Sequence, residues 1–85
     1  MLDDLLAKRN ATHGNFALNA ALSQELKRVL RRRNPLTDVQ REALEAIAGK
    51  IARILAGDPN HEDHWDDIAG YATLVANEIR KQKGP

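Results

Sequence analysis

Apolar residues recur along this chain at three- and four-residue intervals, and no stretch alternates long enough to make a useful strand. Helical period dominates. The first short helix covers roughly residues 2–10, with Leu2, Leu5 and Leu6 on one side. Thr12-His13-Gly14-Asn15 breaks it, Gly14 supplying a turn and Asn15 a cap. The second helix runs from about Asn15 to Arg32. Leu18, Leu22, Leu26, Val29 and Leu30 form its stripe, with Phe16 at the edge. Asn34-Pro35 ends it, because the residue before a proline is pushed out of α geometry.

Thr37-Asp38-Val39-Gln40 reads as a capping box that opens the third helix. That helix continues to about Ala56, with Leu44, Ile47, Ile51, Ile54 and Leu55 sharing a face and Gly57 as its C-terminal cap. Asp58-Pro59-Asn60 makes a tight connection, Asp58 or Asn60 being able to cap the next start. The fourth helix spans about His61 to Arg80 and is expected to bury Trp65, Ile68, Ala69, Ala72, Val75, Ala76 and Ile79. Residues 81–85 read as a frayed tail. Short connections favour antiparallel neighbours, so the expected fold is all-α, a compact antiparallel bundle of about four helices. One domain fills residues 1–85, and a core of that size is marginal, so a homo-oligomer is expected.

Composition narrows the chemistry. With no cysteine there is neither a disulfide framework nor a thiolate metal site. No run of apolar residues is long enough to span a membrane. The opening MLDDLLAKRN carries acids early and does not read as a secretory signal, so the expected address is the cytoplasm. Net charge is only +1, yet residues 1–34 hold seven Lys/Arg against three acids, and residues 58–80 hold six acids against Arg80 alone. The two regions therefore face each other or face separate partners. The basic run from Lys27 to Arg33 can track a phosphate backbone, but it also ends a helix, where cations are favoured anyway. Phe16, Trp65 and Tyr71 are the only aromatics besides the histidines, too few for a base-stacking platform. Nucleic acid is the weakest of the partner readings.

At 100° per residue, Glu42, Ala46, Lys50 and Arg53 share one narrow face of the third helix, opposite the centre of its apolar stripe. Asp63, Asp67 and Tyr71 form an i, i+4, i+8 line on the fourth helix, and the two carboxylates repel each other there. Something positive must offset them. In one reading Glu42, Asp63 and Asp67 are hard oxygen ligands for Mg²⁺, and Lys50 with Arg53 neutralises a phosphate that the ion bridges. In the other, Glu62 and Asp63 sit in a first turn favoured by the helix dipole, and Asp67 pairs with Lys50 or Arg53 as a structural ion pair. His61 and His64 have the spacing of a metal half-site without a third ligand, and read best as solvated first-turn residues. Arg9 and His13 are placed to form the rim of a ligand site, His13 equally being an ordinary turn residue.

Four segments, Arg9 with His13-Gly14-Asn15-Phe16, Gln40–Leu44, Lys50–Pro59 and Asp63–Ala72, together resemble a family of small phage and prophage proteins of unknown function. The resemblance covers nearly the whole chain and implies a phage or prophage origin. A second similarity runs to the all-α nucleoside triphosphate pyrophosphohydrolases of MazG type, which hold Mg²⁺ with ExxE on one helix and ExxD on a later one. Here Glu42-x-x-Glu45 fits the first half, and Asp63-x-x-Asp66 fits the second with Asp in place of Glu. The register that ends at Asp67 instead puts His64 where Glu belongs.

These readings together give one leading expectation. The chain binds a nucleotide or other phosphorylated small molecule, with Mg²⁺ held by Glu42, Asp63 and Asp67, and Lys50, Arg53, Arg9, His13 and Tyr71 on the ligand. Its chemistry, where there is any, is hydrolysis of a phosphoanhydride by metal-activated water. The alternative is a non-enzymatic interaction module acting on a host defence or replication protein.

Overall fold

The computed structural model describes residues 2–13, 15–32 and 35–84; the side chains of residues 9–13 lie outside that description. Four α-helices follow one another: α1 (Leu2–His13), α2 (Phe16–Leu30), α3 (Asp38–Ala56) and α4 (Glu62–Lys83). There is no strand among the described residues. The fold is all-α, as the periodicity predicts. Two helices are longer than expected: α1 runs on through residues 11–13, and α4 absorbs residues 81–83 of the predicted tail.

The helix ends follow side-chain chemistry. The Asn15 carboxamide oxygen accepts from Leu18 N–H at 3.2 Å and starts α2. At α3 both halves of the capping box form: Gln40 N–H donates to Thr37 Oγ1 at 3.1 Å, and Thr37 N–H donates to Gln40 Oε1 at 3.0 Å. Gly57 closes α3 by donating its N–H to the Arg53 carbonyl at 2.9 Å, with a φ of -125° rather than a left-handed backbone. The next connection differs from the expected cap. Asp58 Oδ1 accepts from Asn60 N–H at 2.9 Å, which bends the loop, so the N-cap position falls to His61, with no side-chain cap. The acids Glu62 and Asp63 in the first turn offset the missing cap through the helix dipole.

α3 is the middle of the molecule. It packs on both α2 and α4, which do not touch each other, and α1 rests lightly on α2 and α3. Antiparallel α3 and α4 are read directly from their neighbours: Lys50 meets Asp67, while Gln40 and Ala43 share a hollow with Ala72 and Val75. Both contacts of α3 run over small residues. Ala43 is buried on the α4 side; Ala48 and Ala52 are buried roughly 140–180° further round the helix, on the side left for α2. Alanines let helix axes approach closely, which is how α3 serves two neighbours at once.

Much of the expected core stays uncovered. Leu18 and Val29 of α2, Leu55 of α3, and Trp65, Ala69 and Ala72 of α4 are exposed, Leu55 by 63% and Trp65 by 54%. Each belongs to a predicted apolar stripe, but α4 touches α3 alone, α2 gains only the light contact with α1, and Leu55 falls between the faces that α3 turns to α2 and to α4, so stripes more than 100° wide are covered only in part. The chain is correspondingly drawn out. Its extents are 52 × 27 × 21 Å, and its radius of gyration of 15.2 Å exceeds the ~12 Å of a compact domain of this length. Trp65 has a use at the surface nonetheless: its indole N–H donates to the Pro59 carbonyl at 2.8 Å and ties the α3–α4 loop to α4.

Candidate functional site

Where α3 crosses the first half of α4, Lys50 Nζ lies 2.8 Å from Asp67 Oδ2. The Lys50 side chain is 18% exposed and Asp67 48%. The ionisable face of α3 is therefore not turned to open solvent at this point, as the helical wheel alone suggests. It is folded against α4. The hydrogen bond from Lys50 holds the Asp67 carboxyl below its ordinary 3.8, helped by the positive charge of Lys50 and, more weakly, by His64 and Arg53, while partial burial works the other way. Arg53 is thus close enough to act on Asp67 electrostatically, one turn beyond Lys50 on α3.

The other candidates spread out from this pair. Asp67 and Tyr71 line an open hollow of about 570 Å³ along α4, together with Asp66, Gly70 and Leu74. Tyr71 also borders a second hollow of about 380 Å³ on the α3–α4 seam, where Glu42 lines the far wall. Asp63 lines neither of them and lies 3.7 Å from His61 Nε2. The three carboxylates Glu42, Asp63 and Asp67 are consequently not gathered. Glu42 sits eight residues before Lys50, about 12 Å along the helix from the level at which Asp67 is held. Among the described residues no three His, Asp or Glu side chains are placed to hold a metal ion. Mg²⁺ demands oxygens converging at about 2.0–2.1 Å, so the chain's own carboxylates, as arranged, do not fit it. The side chains of Arg9 and His13 lie outside the described residues.

The histidines depart from expectation. His64 is no solvated first-turn residue: it is 1% exposed, the largest side chain so fully buried. His61 packs against it edge-on, with ring centroids 4.6 Å apart and planes at 65°. The signal for this burial is in the sequence. His64 precedes Ile68 by four residues, Tyr71 by seven and Val75 by eleven, which puts it on the line that α4 turns toward α3. Its location in the first turn masks that register.

An all-α chain whose third and fourth helices are joined by a lysine–aspartate pair is the class that fold and site define. No protein-family model, no curated protein and no solved structure matches the chain. No described helix is long and apolar enough to cross a membrane.

Proposed function

We propose that the chain is a non-enzymatic helical interaction module, working by protein–protein association rather than by turnover of a small molecule. One observation carries this reading: large apolar side chains on α2, α3 and α4 remain uncovered while the cation best placed for a ligand, Lys50, is committed to Asp67. Contiguous apolar surface left open by a folded chain marks a contact site. In the phage or prophage setting that the sequence resemblance implies, the partner is a host defence or replication protein, and the basic end of α2 supplies electrostatic steering.

The test sets association against ligand binding. The purified chain is melted with a nucleotide panel, with and without Mg²⁺, and assayed for phosphate or pyrophosphate release. No thermal shift and no turnover are expected. Affinity capture from host extract with wild type, Leu18→Asp with Val29→Asp, and Arg31→Glu with Arg32→Glu then shows whether one captured protein depends on the apolar edge. Turnover, or a nucleotide-dependent shift that Lys50→Ala removes, overturns the reading.

A second reading, a phosphorylated small molecule, is favoured by the way Asp67 and Tyr71 share one hollow beside Lys50 and Arg53. In it Lys50 leaves Asp67 for the phosphate, Arg53 adds the second charge, and Mg²⁺ arrives with the ligand's oxygens completing its shell. The nucleotide panel decides between the two.

A further inference from the structure

The open apolar surface has a definite shape. Because α2 and α4 do not touch, the midline stripe of α3 lies at the floor of a trough between them. A hollow of about 360 Å³ there is lined by Leu36, Gln40, Leu44, Ile47, Ala72 and Val75, with Ala43 beneath. The trough continues along both helices. Leu44, Ile51 and Leu55 follow one another at i, i+7 and i+11 on α3, and Trp65, Ala69, Ala72 and Ala76 at i, i+4, i+7 and i+11 on α4. The second series has the spacing of a coiled-coil seam built mostly from alanine, which admits a close neighbour.

We infer that the occupant of this trough is a second copy of the same chain, packed face to face and antiparallel about a two-fold axis lying in the interface at right angles to α3. This deepens the interaction reading above and rests on it, with the trough of α3 and α4 given to the second copy rather than to the host protein. Two further observations choose a second copy over another partner.

The first is area. The accessible surface is 6450 Å², whereas a compact monomer of 9.5 kDa exposes roughly 5,000 Å². The excess of about 1,400 Å² is more than the ~800 Å² each partner contributes to a standard interface, and falls in the range of obligate homodimers. The second is charge. Antiparallel packing puts the C-terminal ends of α2 and α4 together at the start of α3, gathering Lys27, Arg28, Arg31 and Arg32 with Arg80 and Lys81. Asp58, Glu62, Asp63 and Asp66 lie at the other end of α3, about 28 Å away. One chain is basic at one end and acidic at the other. The antiparallel two-fold brings each basic end to its partner's acidic end, and a parallel pairing stacks like charge on like. Self-complementarity of this kind is what an isologous interface requires.

Sedimentation velocity on the full chain, from micromolar to near-millimolar concentration, tests the proposal. A species of twice the 9.5 kDa chain mass is expected. Ala72→Glu and Leu55→Glu, both exposed in the single chain, should each shift it to monomer by at least tenfold in dissociation constant while circular dichroism keeps the helix content. Leu74→Glu, as exposed as Leu55 but on the opposite edge of α4, should leave the dimer intact. A monomer throughout, an assembly larger than two, or a dimer broken by Leu74→Glu and not by the trough variants overturns the inference. A monomer that still captures a different protein through Ala72 removes the second copy alone. A dimer that hydrolyses nucleotide removes instead the interaction reading on which it rests.

Discussion

Ala52 has no exposed surface at all, and Ala48 one turn before it only 3%. Two methyl groups thus fix the distance at which α3 meets its neighbour, and a larger side chain has nowhere to go without prising the helices apart. Ala52→Leu should lower stability by about 1–3 kcal/mol, seen in urea unfolding as a reduced midpoint with an unchanged slope. The pair Lys50–Asp67 makes a prediction of different form. Asp67 titrates below 3.8 in the folded chain, so its contribution to stability is complete above the ordinary carboxylate range and disappears as pH falls through the lowered value. Asp67→Asn should therefore melt below wild type near neutrality, with the two converging in acid; a constant gap at all pH values would show that the pair does not act through this charge. The pairing of Asp67 with Lys50 or Arg53 was one of two arrangements open from sequence, because wheel positions give the face of each helix but not the level at which two helices meet. The burial of His64 is a different case. Its register was legible, and was outweighed by the habit of acids and histidines to sit solvated in a first turn.

The helices themselves are written locally, which is why their existence and most of their starts follow from the chain alone. Thr37 and Gln40 exchange both capping bonds without help from any other element. Removing the hydroxyl in Thr37→Ala should cost about 1 kcal/mol, or roughly 4–8 °C in melting temperature for a domain of this size, read by circular dichroism at the helix band. Glu in place of Gln40 should retain the box and most of that stability. The helix ends that differ from the pattern lack such signals. Residues 11–13 carry neither Gly nor Pro to stop a helix, and Arg80, Lys81 and Lys83 favour the C-terminal turn of α4 rather than a frayed tail. The α4 start fell to His61 because the Asp58 carboxylate is spent on Asn60 inside the loop. What periodicity cannot give is coverage. The stripes of α2, α3 and α4 were recognisable, yet how much of each would be hidden depends on how many neighbours a helix finds. With α3 alone touching both others, the edges that carry Leu55, Trp65 and Ala72 stay open.

At the scale of the molecule the uneven charge noted along the chain becomes a direction in space. Basic residues close to the α2 and α4 C-termini and acidic ones at the α4 N-terminus are separated by the length of α3, so a net charge of +1 conceals two ends of opposite sign. An electrostatic alignment of this type can be rewired without touching the apolar trough. Arg28→Glu, Arg31→Glu, Arg32→Glu and Arg80→Glu together make both ends acidic, and Glu62→Lys, Asp63→Lys and Asp66→Lys together make both ends basic. In an antiparallel dimer each variant alone faces like charge at both ends and should dissociate more readily than wild type at low salt. Mixed in equal amounts, the two should prefer each other, since acid then meets base at each end. Native mass spectrometry of the isotopically distinguished variants reads the ratio of mixed to like dimers directly. Salt provides the second axis: near 1 M the screening length shrinks to about 3 Å, so the preference should fade while the dimer, held by apolar burial, persists. Statistical mixing at low salt would mean that the charged ends do not meet, and a dimer lost as salt rises would mean that the trough is not what joins the chains.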